Sequence, residues 1–205
     1  MRHQPGAIEQ DSFSIIQKEL DTRQITLDPA TADIVMRCIH TSADFDYAQI
    51  LEISNGADQA AVKALRSGAH IVTDTTMAMS GINKRILADF GGAVHCFIAD
   101  EDVAREAKER NTTRAVVSME HAARLDMPLV FAIGNAPTAL MRLCELIDEG
   151  VVSPELVIGV PVGFVNVVKS KEMLMERNVP YIVSRGNKGG SNIAACICNA
   201  LLYRG

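Results

Sequence analysis

The sequence predicts an α/β fold in which a doubly wound parallel sheet of about five strands carries helices on both faces. Hydrophobic residues make up 48% of the 205-residue chain and aromatic residues only 4%, a balance that suits a sheet covered by helices. The apolar runs are short and lack polar alternation, as expected for strands buried on both faces. They alternate with segments of helical periodicity, which predicts parallel strands joined by helical crossovers.

The boundaries of the predicted elements follow from apolar runs and turn residues. Strands are expected at 70–74, 93–98, 129–133, 156–160 and 181–183. Helices are expected at 9–20, 28–40, 58–67, 82–90, 100–109, 113–125, 137–149, 166–177 and 191–202. Gly68 and Gly150 end two of these helices, and Pro137 suits the first position of another.

Residues 47–54 favour either a short strand or the end of a helix. Because no repeat, low-complexity stretch or linker divides the sequence, we expect one domain over residues 1–205. Its amino-terminal segment, at about 8–40, is expected to be helical.

Composition narrows the range of functions. The net charge of −5 argues against nucleic acid or an anionic membrane surface as the main partner. The five cysteines lie mostly in apolar runs without a CxxC pair, so we expect reduced cysteines in a cytoplasmic protein. We expect no signal peptide, because no apolar run follows the basic first residues, and no membrane span, because no apolar run is long enough for one. No metal site is expected, because HxxxH spacing is missing among His40, His70, His95 and His121.

The predicted helix at 28–40 presents a histidine at its end. Asp28 can cap the helix and Pro29 suits its first position, while Arg37 and His40 point to the same side. The polar residues after His40 are not expected to extend the helix. Imidazole exchanges protons near neutral pH, so His40 is a candidate acid–base group. The alternative is a histidine that interacts with the last carbonyl groups of its own helix.

Polar or glycine-containing loops follow the predicted strands, where ligands bind in sheets of this kind. Asp74-Thr75 follows the first strand and supplies either ligand contacts or a helix cap. Gly134-Asn135 follows the third strand, where glycine lets the backbone approach a ligand and the next helix offers free N–H groups.

Two further loops complete this set. Gly163 and Phe164 lie in the loop after the fourth strand, where Phe164 packs either on a flat ligand or on the core. The loop Arg185-Gly186-Asn187-Lys188-Gly189-Gly190-Ser191 combines cations with glycines and favours carboxylates or phosphates. Together the four loops suggest a wide, shallow site for a large, flat, acidic ligand. The GxGxxG and GxxxxGK[ST] signatures of nucleotide binding are missing.

Five motifs occur in this order along the chain: Arg37-x-x-His40, Asp74-Thr75-x-Met77, Ile133-Gly134-Asn135-Ala136-Pro137-Thr138-Ala139-Leu140, Gly159-x-Pro161-Val162-Gly163-Phe164-Val165 and Arg185-Gly186-x-x-Gly189-Gly190-Ser191. In this order they resemble the precorrin-8 methylmutase family of cobalamin biosynthesis, over nearly the whole chain. The resemblance implies a flavodoxin-like sheet, a homodimer and an isomerase that works without a cofactor. The implied reaction moves a methyl group between two adjacent ring-C carbons of precorrin-8, or of its cobalt form, giving hydrogenobyrinate or cobyrinate.

The resemblance also implies roles for individual residues. His40 would donate and accept the proton, and Ser12, Arg37 and Arg114 would lie near the substrate. From the sequence alone, the hydroxyl of Ser12 would instead bond back to its own helix. The chain has Thr41-Ser42-Ala43 where the family often has Ala-Cys-Gly. The further candidate substrate-binding residues are Asp74, Thr75, Gly134, Asn135, Gly163, Arg185, Gly186, Lys188, Gly190 and Ser191.

Two other classes of function remain open at this stage. A non-catalytic tetrapyrrole carrier would use the same glycine loops without needing His40. A flavin or mononucleotide protein would need a phosphate loop after the first strand, and Asp74-Thr75-Thr76 lacks the glycines for it.

Overall fold

The computed structural model describes residues 5–204, with side chains from residue 8 onward. Its centre is a six-stranded sheet in the order β1-β6-β5-β4-β2-β3. The strands are β1 (Leu51–Ile53), β2 (His70–Thr73), β3 (Val94–His95), β4 (Leu129–Ile133), β5 (Leu156–Gly159) and β6 (Tyr181–Ser184). Five of the strands run parallel, as predicted, and β1 pairs antiparallel with β6.

The predicted count of about five strands misses β1. Residues 47–54 contain both of the elements that the sequence allowed, a single helical turn, α3 (Tyr47–Ile50), and then β1. The strand expected at 93–98 is reduced to Val94–His95. Its short length is explained by its position at the edge, where only β2 pairs with it.

The sheet is covered by helices on both faces. Besides α3, the helices are α1 (Pro5–Thr22), α2 (Ala32–Ser42), α4 (Ala57–Arg66), α5 (Thr76–Gly81), α6 (Lys84–Asp89), α7 (Glu101–Glu109), α8 (Arg114–Ala122), α9 (Pro137–Asp148), α10 (Val167–Met175) and α11 (Ser191–Tyr203). Among residues 5–204, no helix combines the length and apolarity that crossing a membrane requires.

The predicted bounds of the histidine helix were wrong at both ends. Asp28 does not cap α2; its carboxylate accepts the N–H of Ala30 at 3.0 Å in a turn that precedes the helix. At the other end the helix continues through Ser42, whose hydroxyl donates to the Cys38 carbonyl at 2.7 Å. Ala43 then adopts a left-handed conformation and ends the helix.

Helix α5 was not predicted. The segment reads as a polar loop, but Thr75 caps a short helix by accepting the N–H of Ala78 at 3.1 Å. Thr75 is therefore a helix cap, which is one of the two roles that the sequence allowed for it.

Two apolar clusters fill the space between the sheet and its helices. One cluster joins α1, α2, α4, α6 and α11 to one face of the sheet. The other joins α8, α9 and α10 to the opposite face. His40 and Arg37 therefore belong to the first face, whereas Arg114 begins a helix on the second.

Two glycines of the loop between β6 and α11 give a direct test of this packing. A Cβ on Gly189 would lie 2.1 Å from the Val160 carbonyl oxygen, a backbone atom that also accepts the Gly190 N–H. We therefore expect Gly189→Ala to lower the free energy of unfolding by about 3 kcal/mol or more. Urea denaturation followed by circular dichroism measures this loss.

Gly186→Ala is the matched control, because its added Cβ meets no atom within 4 Å and only the positive φ of +73° opposes it. That strain costs about 1–2 kcal/mol. Equal losses for the two variants would contradict the close approach of the two loops.

Candidate active site

His40 lies in the last full turn of α2 with its side chain exposed to solvent. The helix beneath it is fixed by buried apolar side chains, namely Ile34, Val35, Cys38 and Ile39. The imidazole ring meets the edge of the Phe13 ring with the centroids 5.5 Å apart. His40 therefore combines access to solvent with a fixed position.

A polar cleft of about 390 Å³ opens on one side of His40. It is lined by Glu9, Arg37, His40, Thr41, Cys196, Asn199 and Tyr203. The Arg37 guanidinium donates to the Glu9 carboxylate at 2.9 Å and lies 5.1 Å from the centre of the Tyr203 ring. Arg37 thus has its charge balanced and its orientation fixed at the wall of the cleft.

A second, more apolar hollow of about 250 Å³ lies on the other side of His40. It is lined by Ser12, Ile15, Ile16, Ile39, His40, Ala43 and Phe45. The Ser12 hydroxyl donates to the Ile8 carbonyl at 2.9 Å, so it bonds back to its own helix while still facing this hollow. His40 therefore stands between a polar and an apolar depression.

The carboxylate of Asp74 holds the loop that follows β4. It is fully buried and accepts the backbone N–H groups of Gly134 at 2.9 Å, Asn135 at 2.8 Å and Ala136 at 2.7 Å. Burial raises the pKa of the Asp74 carboxyl, and the three backbone donors oppose that rise. The backbone N–H groups of Gly134 and Asn135, predicted to face a ligand, thus donate to Asp74.

The loops after the strands pack against one another. The hydroxyls of Thr75 and Ser191 are hydrogen-bonded at 2.8 Å, which joins the first loop to the last. A Cβ on Gly134 would lie 2.7 Å from the Cα of Ser191, so the backbone of the loop after β4 touches the backbone of the last loop. Gly163 donates its N–H to the Asn187 carbonyl at 3.2 Å and joins the third loop to the same group. Phe164 extends away from these contacts and is 89% exposed.

Two lysines hold the last loop in place. Lys188 forms ion pairs with Asp44 at 2.5 Å and Asp46 at 2.6 Å, and so ties this loop to the segment that follows α2. Lys171 is fully buried and donates to the carbonyls of Gly186 at 2.7 Å and Lys188 at 2.8 Å. Burial lowers the pKa of Lys171 to about 8.

The remaining predicted cations lie apart from His40. Arg185 pairs with Glu52 on the edge strand at 2.5 Å and is more than half exposed. Arg114 is exposed at the start of α8, on the face of the sheet opposite to α2. Of the predicted site residues, the structure places Ser12, Arg37 and His40 around one pair of depressions, while the loop residues contact one another.

Sequence reasoning missed several residues that line the polar cleft. Cys196, Asn199 and Tyr203 follow helical spacing and lie on one side of α11. That spacing was a usable signal, although the apolar character of the segment suggested only core. Lys171 had no such signal, because a lysine in a predicted helix is normally taken to be exposed.

The fold and the cleft together define an α/β protein in which an exposed histidine and a paired arginine line one polar cleft. The family model described as "CbiC: Precorrin-8X methylmutase" matches residues 7–204. The chain belongs to this family, which consists of isomerases of cobalamin biosynthesis.

Individual relatives are similar over nearly their full length. The cobalt-precorrin-8 methylmutase of Salmonella typhimurium is 46% identical, over 98% of this chain and 95% of its own. The precorrin-8X methylmutase of Pseudomonas aeruginosa is 39% identical, over 95% of this chain and 93% of its own. The crystal structure of precorrin-8x methyl mutase from Thermus thermophilus matches with a TM-score of 0.85 and 38% identity, over 96% of each chain.

The buried carboxylate of Asp74 yields a prediction about stability. Asp74→Ala would leave three backbone N–H groups without their acceptor, so we expect a loss of at least about 3 kcal/mol in the free energy of unfolding. Thermal and urea denaturation measure it.

Asp100→Ala is the matched control, because Asp100 also precedes a helix but its side chain makes no capping hydrogen bond. It should cost less than about 1 kcal/mol. A small loss for Asp74→Ala would mean that the loop is held by other contacts.

Proposed function

We propose that this chain, as a single domain over residues 1–205, is a methylmutase that acts on precorrin-8 or its cobalt form. The product would be hydrogenobyrinate or cobyrinate. Relatives named for each of the two substrates match the chain, so the metal content of the substrate is tested by assaying both.

The position of His40 carries this proposal. An exposed imidazole on a fixed helix separates a polar cleft that contains Arg37 from an apolar hollow. A large ring with an apolar face and carboxylate side chains matches both surroundings. In this proposal His40 is the proton-exchanging group that faces the ring, and Arg37 is the cation that binds its acid groups.

In the proposed mechanism the protein contributes proton exchange and positioning. The methyl shift is a rearrangement within one conjugated macrocycle, so it requires no external oxidant or reductant. Protonation of the ring by His40 would shift its double bonds toward the arrangement from which the methyl migrates. General acid–base catalysis of this kind contributes about 10²–10⁴-fold in rate.

The arginine of the cleft would bind an acid group of the substrate. Arg37 is held by the Tyr203 and Phe13 rings at 5.1 and 5.5 Å, so its guanidinium is already oriented before a ligand arrives. Its partner Glu9 has a side chain that is 43% exposed. Exposed ion pairs contribute only about 0–1 kcal/mol, so a substrate carboxylate can replace or join Glu9 at little cost.

The active form would be a homodimer. Arg114, expected from the family resemblance to lie near the substrate, begins a helix on the face opposite to His40 in the same chain. A second copy could bring its Arg114 to the His40 cleft. The exposed side chains of Phe164 and Val165, at 89% and 79% exposure, offer apolar area for such an interface.

The first prediction from the proposed function tests proton exchange at His40. His40→Ala and His40→Asn should retain the fold, because the side chain is exposed, and should still bind the corrin product. Both should lose turnover on the order of 10²-fold or more, because neither side chain can donate and recover a proton. Conversion is followed by the change in visible absorbance with the metal-free and the cobalt-containing substrate.

His121→Asn is the control, because His121 pairs with Glu106 at 3.0 Å on the opposite face of the sheet. It should keep normal turnover. Near-normal turnover in both His40 variants, with product still bound, would leave a tetrapyrrole carrier as the better description.

The second prediction concerns Arg37. Arg37→Ala should weaken binding of the corrin product about tenfold or more, since a charge-assisted hydrogen bond is lost. The free energy of unfolding should fall by only about 1 kcal/mol, because the Glu9 pair is partly exposed. Absorbance titration and urea denaturation give the two quantities.

Arg66→Ala provides the comparison, because Arg66 also lies over an aromatic ring, that of Phe90 at 5.8 Å, but outside the cleft. Its affinity for product should equal that of the wild type. An unchanged dissociation constant in Arg37→Ala would argue against the proposed role of Arg37.

The third prediction tests the dimer. The wild-type protein should sediment as a dimer at micromolar concentration, and Phe164→Ser combined with Val165→Ser should shift it toward monomer. Val151→Ser removes another exposed apolar side chain, 54% exposed, that precedes β5 rather than following it. That variant should remain dimeric, and a monomeric wild type would refute the proposal.

A further inference from the structure

Cys196 stands at the wall of the polar cleft. It lies in the middle of α11, is half-buried, and lines the same cleft as His40 and Arg37. The Thr41 hydroxyl donates a hydrogen bond to its sulfur at 3.1 Å. The sulfur is thus reachable from the cleft and already has a hydrogen-bond donor.

A second thiol lies close to it. Cys38 is fully buried on α2, two residues before His40, and belongs to the same apolar cluster as Cys196, with whose thiol it interacts. This contact joins α2 to α11, two helices that pack against each other. An accessible thiol and a buried thiol in contact form the arrangement from which a disulfide can be made.

The surroundings favour the thiolate at the accessible position. The neighbouring Cys38 thiol, the hydrogen bond from Thr41 and the charge of Arg37 lower the pKa of Cys196 to about 7 despite its burial. The contact with Cys196 and burial raise the pKa of Cys38. Burial raises the pKa of Cys198 to about 12 and that of Cys144 to about 11. The thiolate is the reactive form of cysteine, so these cysteines should differ in reactivity.

We propose that Cys196 is a peroxide- and electrophile-reactive thiol of the cleft, and that Cys38 is its resolving partner. Oxidation by a peroxide then joins α2 to α11 through a Cys38–Cys196 disulfide next to His40. The modification needs no corrinoid, so its test is independent of the proposed methylmutase activity.

The chemistry balances with hydrogen peroxide as the only oxidant. The Cys196 thiolate attacks one peroxide oxygen, the O–O bond breaks, and the departing hydroxide takes up a proton to become water. The Cys38 sulfur then attacks the sulfenic sulfur of Cys196 as it loses its proton, the S–O bond breaks, and a second water leaves. The two thiols lose two electrons and two protons, and one peroxide is reduced to two waters.

The first experiment uses the unmodified 205-residue chain. The reduced protein is treated briefly with iodoacetamide at neutral pH, and peptide mass spectrometry measures the labelling rate of each cysteine. Cys96, the other half-buried cysteine, is the internal reference. We expect Cys196 to be labelled about tenfold faster than Cys96, because of its larger thiolate fraction. Equal or slower labelling of Cys196 would overturn the proposal.

The second experiment follows oxidation. One equivalent of hydrogen peroxide should lower the intact mass by two hydrogens, and digestion should yield a reducible peptide pair that contains Cys38 and Cys196. Cys196→Ser should abolish both signals, whereas Cys96→Ser should leave them unchanged. A disulfide that involves another cysteine, or no loss of mass, would refute the assignment.

Cys38→Ala tests the resolving step. With its partner removed, Cys196 should accumulate as the sulfenic acid, which is trapped by dimedone and read by mass spectrometry. Because Cys38 is buried and its removal can affect folding, the labelling experiment on the wild type stands as the independent measurement. Dimedone adducts on Cys96 in place of Cys196 would count against the proposal.

Discussion

The position of every group in the cleft depends on the burial of α11. Nine of its thirteen residues are buried, and the helix packs against β4 and β5 on one side and against α2 and α5 on others. Each large aliphatic side chain buried in this way contributes about 1.5–3 kcal/mol. Helix α2 rests on this support through its own buried residues, such as Ile34 and Ile39. The orientation of His40 therefore follows from core packing rather than from polar contacts of its own.

The polar groups around the predicted site are largely satisfied within the chain. The loop cations Lys188 and Arg185 are paired with carboxylates. The Asp74 carboxylate accepts hydrogen bonds from the backbone that follows β4. Arg37 is also paired, but with a partly exposed partner in the cleft. This difference separates groups that shape the protein from those that remain available for exchange with a ligand. Residue type alone does not reveal it, because the same cations and carboxylates serve both purposes.

Most of the fold was predictable, because strands buried on both faces leave uninterrupted apolar runs such as residues 129–133. The edge strands were harder to predict, because β1 has three residues and β3 has two, too few to show the apolar run of a strand. The placement of Arg37 and His40 on one side of a helix followed from their spacing. The cleft itself lies among α1, α2 and α11 rather than at the loops after the strands, where the sequence predicted the site. The engagement of Asp74 with three N–H groups and the burial of Lys171 depend on tertiary contacts between distant segments, which no local pattern encodes.

The two ends of the sheet limit how copies of this chain can associate. At one edge of the sheet, the antiparallel strand β1 pairs with β6. Helix α3 packs against both strands, and the Glu52–Arg185 ion pair places charges beside this edge. At the other end β3 exposes only two residues, too short a template for another strand. Short and charged edges of this kind prevent sheets from extending between molecules. The protein is thereby guarded against fibrous aggregation, and its helices and loops are left as the surfaces for controlled assembly.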